Sequence, residues 1–350
     1  MDAFAELGRF LGQFGPDAPA VESALNFDFH EHFDSFIRHE ANRNNWFTLA
    51  NLRHSMAALS YMMRPEKLER WRKMYPELDQ DSPERVVGLV MAGNIPLVGF
   101  HDLLCVLLAG HKALVKPSSK DDRLIKALVR MLVVLEPSFG ESVVFTDDRM
   151  AGFEAMIATG SDNTARYFHH YFDKYPNIIR KNRNSVAILT GAETPKQMRA
   201  LSHDMHLYFG LGCRNVSKLF IPRDFDLALI FENAPDYQGL LNHSKYKNNY
   251  DYHKSIFMVN RVPFFDNGLF MLREAEPLAS PVSVAHLRRY DDLREVADEL
   301  EPLRDKVQCL VSDLAPLDGW DTTPLGKTQW PEPWDYADQV DTLRFLLELR

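Results

Sequence analysis

From Arg85 onward the sequence alternates short, wholly apolar runs with longer runs of helical periodicity. That alternation constrains the fold more than any other feature. "RVVGLVMA" reads as a buried strand, "GNIPLVG" as a glycine and proline turn, and "FHDLLCVLLAG" as an apolar helix ending at Gly110. "KALVKPSS" is a second strand, and "DDRLIKALVRMLVVLEP" a helix whose opening acids suit its N-terminus. "ESVVFTDD" is a third strand, "RMAGFEAMI" reads as a helix and "ATGS" as a strand end or turn. "DNTARYFHHYFDKY" is a helix that Ser161 or Asp162 can cap. The β-α-β-α-β-α order predicts a parallel sheet covered on both faces.

A second unit opens at "RNSVAILTG", a strand, followed by the helix "PKQMRALSHDMHLYFG", the strand "VSKLFIPRD" and the helix "FDLALIFENA". "NHSKYKNNYDYHKSIFMVNRV" is polar, tyrosine-rich and without a clear period, and "SPVSVAHLRRYDDLREVADELEPLRDKVQCLVSD" reads as strand, helix, strand. The residues before Arg85 show helical periodicity with charged outer faces. With 350 residues there is chain enough for two packed domains. The expected organisation is a helical N-terminal region over 1–84, a first α/β domain over 85–184 joined by the tail 320–350, and a second α/β domain over 185–319.

A net charge of −9 argues against a nucleic-acid or anionic-membrane protein held by bulk charge. The N-terminus lacks the basic and apolar regions of a signal peptide, and no apolar run approaches a bilayer span. Three scattered cysteines make neither a disulfide framework nor a zinc spacing. The expectation is a soluble cytoplasmic protein. His203 and His206 share a helix face, but no third ligand is evident, so no metal site is expected.

Three places could carry chemistry. In "GLGCRN", Cys213 lies between Gly212 and Arg214. It is either a nucleophile, activated by a lowered thiol pKa, or a small residue filling a corner between helix and strand. Asn94 follows the first strand, and Lys116, Ser118 and Ser119 end the second. In an open parallel sheet ligands bind outside the carboxyl ends of the strands. There an Asn amide can donate to an oxyanion and a Lys can hold a ribose or phosphate. The bland alternative is a turn-forming Asn and a solvated Lys. At "IATGS", Gly160 permits a tight turn, and the following helix offers free N–H groups to a phosphate. No GxGxxG fingerprint is present.

In order and spacing these pieces resemble the aldehyde dehydrogenase superfamily: "GNIP", "LLAG", "LVKPSS", "IATGS", "GLGCRNVSKLFIP" and the later "SPVSV" strand. Within it, the short chain and the ending "PLGKTQWPEPWDYADQVDTLRFLLEL" are similar to fatty acyl-CoA reductases of the LuxC type. The resemblance implies an α/β, aldehyde-dehydrogenase-like fold. It implies Cys213 as nucleophile, Asn94 with the Cys213 amide as oxyanion donors, Lys116 at the adenosine ribose, and Gly160 and Ser161 near the cofactor. It also implies a coenzyme A leaving group and a homo-oligomer.

Three departures refine the reading. Oxidising relatives have a Glu upstream of the cysteine that activates water, and here Ile179 or Arg180 occupies its place. Glu193 is the nearest carboxylate and is expected to fall beyond the strand. Without a base a thioester is slow to hydrolyse, which favours coenzyme A as the acyl partner. Ser119, followed by Lys120, stands where NAD-preferring relatives often carry Glu. That favours NADPH, with NADH also possible. Pro277 occupies the place of the Glu that contacts the nicotinamide ribose in many relatives, leaving Glu276 beside it as the candidate contact. The expected activity is NADPH-dependent reduction of an acyl-CoA, fatty acyl being the leading class, to an aldehyde. The competing readings are an acyl-phosphate reductase, an oxidising aldehyde dehydrogenase and a non-enzymatic acyl-CoA-binding relative.

Overall fold

The computed structural model describes residues 1–350 except 17, 19, 20, 81, 82, 315, 316, 318 and 350. It divides into two compact units, Met1–Asn182 with Trp330–Arg350, and Arg183–Gln329.

The first unit opens with four helices, α1 (Asp2–Gly12), α2 (Asn26–Arg43), α3 (Leu49–Met62) and α4 (Pro65–Lys73). Then come β1 (Val86–Val90), α5 (Phe100–Leu108), β2 (Lys112–Lys116), α6 (Asp122–Leu135), α7 (Phe139–Ser142), β3 (Val143–Phe145), β4 (Ala155–Thr159), α8 (Asp162–Phe172) and β5 (Asn177–Arg180). The five strands form one parallel sheet in the order β3-β2-β1-β4-β5. Wholly apolar β1 sits at its centre because both its faces are covered.

One expectation fails here. "RMAGFEAMI" is not a helix: 149–154 is irregular and Ala155–Thr159 is a strand. A strand buried on both faces does not alternate, so a short apolar run of this kind has no period that separates it from a buried helix. "NIIR" is an additional strand, made at the sheet edge although Arg180 within it is buried.

The second unit contains β6 (Asn184–Ile188), α9 (Pro195–His206), β7 (Val216–Pro222), α10 (Ala228–Glu232), α11 (Ser244–Val259), β8 (Phe265–Asp266), β9 (Met271–Glu274), β10 (Val284–Tyr290), α12 (Leu293–Leu300), β11 (Val307–Val311) and β12 (Thr322–Thr323). Its sheet runs β12-β11-β6-β7-β10-β9-β8, parallel except for β8 against β9. The tyrosine-rich segment without clear period is the sixteen-residue helix α11. Its buried positions include Tyr246 and Tyr250, which count as polar in a sequence pattern. Each buries its ring and sends its hydroxyl to a partner, Leu269 O at 3.2 Å and the Asp266 carboxylate at 2.8 Å.

The tail returns to the first unit and ends in α13 (Thr342–Leu347). It is fastened by polar contacts: Trp71 Nε1 donates to Tyr336 Oη at 2.8 Å, Lys67 pairs with Glu332 at 2.6 Å, and Arg180 donates to Thr342 Oγ1 at 2.7 Å.

Candidate active site

In the first unit the chain lays down β1, β2 and β3 to one side and then crosses to β4 on the other side of β1. The β1/β4 boundary is therefore where the strand order reverses, the usual ligand crevice of such a sheet. Six predicted site residues lie at this carboxyl edge. Asn94 is exposed, four residues beyond the end of β1. Lys116 closes β2 directly opposite Val90, and its ammonium donates to Asp148 O at 3.0 Å. The loops after β1 and β2 touch: a Cβ on Gly93 would stand 2.5 Å from Ser118 Oγ, so only glycine allows this approach. Ser118 Oγ accepts from Lys120 N at 3.3 Å, while Ser119 and Lys120 are exposed.

The loop after β1 is braced. Leu97 has φ +59°, a left-handed conformation unfavourable for a non-glycine residue. Its N–H donates to Asp121 Oδ2 at 2.6 Å, and Ser55 Oγ donates to Pro96 O at 3.0 Å. Burial pushes the Asp121 carboxyl up to about 8, against the lowering effect of the Leu97 N–H. A residue that sequence reasoning missed also reaches this edge. Arg43, at the end of α2, donates to Ser119 O at 3.4 Å while pairing with Asp122 at 2.8 Å.

Beyond β4, Ser161 caps α8, its hydroxyl accepting from Thr164 N at 3.3 Å. Gly160 does not adopt the left-handed turn that its type suggested. It is small for another reason: a Cβ there would meet Phe168 at 2.9 Å and Thr164 at 3.0 Å.

The second unit places Cys213 at the opposite kind of position, ahead of β7 at the amino end of its sheet. It is half-buried and in no disulfide. The turn leading to it is strained, because Tyr208, Phe209 and Gly210 all have positive φ, at 53°, 59° and 74°. Two such non-glycine residues store about 1–3 kcal/mol each and persist only where the surroundings over-determine them. Asn215 supplies that bracing. Its Nδ2 donates to Asp204 O at 3.0 Å and Leu207 O at 2.9 Å, and its Oδ1 accepts from Gly212 N at 2.8 Å. Ser185 Oγ, at the start of β6, donates to Cys213 O at 3.0 Å. Arg214 does not have to face the thiol, for its Nε donates to Thr328 O at 2.6 Å. Thr328 is itself held by buried Asp204, which also accepts from Gly326 N at 2.6 Å. Burial pushes the Asp204 carboxyl up to about 6, opposed by the donors from Gly326 and Thr328. An Asn two residues after the Cys was the available sequence signal for this brace; Asp204 and Thr328 gave none.

Glu193 is not near the thiol's end of β6. Glu193 is engaged in the turn after β6, accepting from Thr190 Oγ1 at 2.8 Å and Gly191 N at 3.0 Å. Cys213 is bonded to Ser185 at the other end of that strand, about 16 Å away at strand rise. Of Ile179 and Arg180, the two residues matched to the relatives' Glu, Arg180 is buried in the first unit and paired with Asp102. Glu276 is exposed on the loop between β9 and β10, held through its main chain, whose carbonyl accepts from Lys218 Nζ at 2.7 Å. Its carboxylate has no hydrogen-bond partner among the described residues. His203 hydrogen-bonds with Tyr237 at 2.8 Å, and His206 is buried and held neutral, its pKa pushed by burial down to about 3.

A model of the acyl-CoA reductase (LuxC) family matches residues 41–224. No curated protein matches the sequence. Solved aldehyde dehydrogenases share the fold. An indole-3-acetaldehyde dehydrogenase from P. syringae, solved with NAD+ and IAA, superposes with a TM-score of 0.59 at 14% identity, over 85% of this chain and 69% of its own. KauB from Pseudomonas aeruginosa gives the same four values. An NAD+ complex of an aldehyde dehydrogenase from Bacillus cereus gives 0.57 at 12% identity, over 85% and 68%. No helix among the described residues is long and apolar enough to cross a membrane.

Proposed function

The chain belongs to the acyl-CoA reductase (LuxC) family, and on that footing we propose that it reduces an acyl-CoA thioester, fatty acyl in the first instance, to an aldehyde through an acyl group carried on Cys213. It is an oxidoreductase of the acyl-CoA reductase or aldehyde dehydrogenase type. The observation that carries the finer reading is the half-buried Cys213 on a strained, braced turn with Glu193 locked at the far end of β6. Glu193, held at that far end, is not in place to activate water against a thioester formed there, which favours its persistence for reduction.

The Cys213 thiolate attacks the thioester carbonyl, forming a new C–S bond. The Cys213 N–H and the Asn94 amide are the proposed donors to the resulting oxyanion. The bond to coenzyme A then breaks and its thiolate leaves. A nicotinamide cofactor, when bound, supplies the hydride that reduces the acyl carbon. The thiohemiacetal then collapses, the C–S bond to Cys213 breaks, and aldehyde departs.

The residues at the carboxyl edge of the first sheet fit such a cofactor. Lys116 suits the ribose, the capped start of α8 at Gly160 and Ser161 suits a phosphate, and Ser118 shapes the loop between. Ser119 and Lys120 are exposed, and the Arg43 guanidinium alongside pairs with Asp122 and Glu40, so position 119 itself places no carboxylate against a 2′-phosphate. NADPH is therefore the proposed reductant. Glu276 is proposed only as an outer contact, since its carboxylate is exposed.

Intact-mass measurement after exposure to acyl-CoAs of graded length, without reductant, tests the reading. A single adduct of acyl mass, lost in Cys213→Ala, is expected, and NADPH should release it as aldehyde. Robust carboxylate formation from aldehyde without coenzyme A would overturn it in favour of an oxidising enzyme. Turnover of acyl phosphate but not acyl-CoA would replace the leaving group.

A further inference from the structure

In the first unit, away from the β1/β4 crevice, α2 and α6 enclose a groove of about 370 Å³. The sequence builds its two walls differently. Phe29, Phe33 and Phe36 recur at i, i+4 and i+7 on α2 and make one aromatic stripe. Arg123, Lys126 and Arg130 recur at i, i+3 and i+7 on α6 and make one cationic stripe. The chain as a whole carries a charge of −9, so three cations facing one apolar groove run against its composition.

The acids that face these cations leave a surplus. Arg123 pairs with buried Glu40 at 3.0 Å, and Lys126 stands 3.7 Å from Asp122. Arg130, exposed at the third turn of α6, has no hydrogen bond or ion pair among the described residues. It lies about 12 Å along the helix from the loop after β2. The groove is of small-molecule size, with its three cations on α6 and exposed His32 as the polar residue on the aromatic wall.

We propose that this groove is a binding site for a single-chain anionic amphiphile, its chain along Phe29, Phe33 and Phe36 and its head group at Lys126 and Arg130. The aromatic stripe is recessed, with Phe33 buried, so it suits an alkyl chain entering a groove better than a flat lipid surface. The permanent cations all stand on the α6 wall, where a carboxylate or phosphate head can meet them. This proposal does not depend on the reaction assigned to Cys213.

Calorimetry on the full-length Cys213→Ala protein tests it, because that variant forms no thioacyl adduct. Laurate, dodecyl phosphate and uncharged dodecanol are the probes, used below their aggregation concentrations. Saturable one-to-one binding of laurate and dodecyl phosphate is expected, with dodecanol weaker by about tenfold or more. Adding K126E and R130E should weaken laurate by about tenfold at unchanged melting temperature, both side chains being at the surface. With Cys213 intact, the same two changes should leave the rate of acylation unaltered. The proposal is overturned by absent binding, by binding indifferent to K126E and R130E, or by uptake only from anionic vesicles. It is also overturned if acylation falls in step with laurate binding, which would make the groove part of the substrate path. A dimer that Phe36→Asp dissociates would make the groove an interface between copies.

Discussion

Both units are parallel sheets with helices on their faces, yet they carry their candidate chemistry at opposite ends of their strands. The first presents Asn94, Lys116, Ser119 and Ser161 on loops that leave strands and enter helices. Those loops lead into helix N-termini, where free N–H groups and the helix dipole favour anions, and only the loop after β1 is bent through a positive-φ residue, Leu97. The second presents Cys213 on a turn that leaves a helix and enters β7. No helix start lies there to hold an anion, and the backbone must be bent through three successive positive-φ residues to form the turn. The contrast teaches where each unit is fragile. The proposed binding edge presents exposed side chains over a single braced residue, Leu97, whereas the cysteine turn depends throughout on buried braces such as Asn215 and Asp204.

The largest effect should come from the thiol itself. Cys213→Ala is expected to abolish the acyl adduct and lower aldehyde formation by at least about 10³-fold, with unchanged circular dichroism. If adduct persists in this variant, the nucleophile lies elsewhere and the comparison collapses.

Next come the braces of the turn. Asn215 is buried and serves three partners, so Asn215→Ala should destabilise the protein by about 1–3 kcal/mol in urea unfolding. Gly210→Ala should lose a similar amount, about 1–3 kcal/mol, because it forces a side chain into left-handed backbone and sets its Cβ 3.2 Å from Met205 O. Both should slow acylation with no change in cofactor binding. Equal losses in acylation and cofactor affinity would show that the two regions are not separable in this way.

The parts legible in the sequence were those with a local signature. Alternating strands and helices, the "GNIP" and "VKPSS" strand ends and the Ser161 cap each declare themselves within a few residues. What was illegible depended on partners distant in the chain. β4 had no period because both its faces are covered, and α11 hid its apolar face in tyrosines whose hydroxyls are satisfied by Leu269 and Asp266. Asp204 holds Thr328, 124 residues later, and nothing local marks either one. Gly160 was rightly singled out as small, but for a turn it does not make; its neighbours on α8 leave no room for a side chain.

On the binding edge the expected effects are smaller and selective. Lys116→Ala should raise the KM for the cofactor by about tenfold with kcat little changed, as loss of uniform binding does. Ser119→Glu should raise the KM for NADPH more than that for NADH, by about tenfold in the ratio, because the added carboxylate repels a 2′-phosphate. A parallel rise for both cofactors would remove the argument for NADPH.

The smallest effect concerns the brace beneath the loop after β1. Asp121 holds the strained Leu97 by its N–H, and burial raises its carboxyl from an ordinary value of 3.8 to about 8. Between those values the folded state holds a proton that the unfolded state releases, so Asp121 makes the folded protein less stable as pH rises through that window. Asp121→Asn keeps an oxygen for the Leu97 N–H and cannot ionise. Its urea midpoint should therefore decline less than that of the natural protein between about pH 5 and pH 8. Parallel declines would mean that Asp121 is already ionised when folded and that the brace is a charged one. The first unit's edge would then rest, like the cysteine turn, on a buried polar anchor fixed by more than a single N–H.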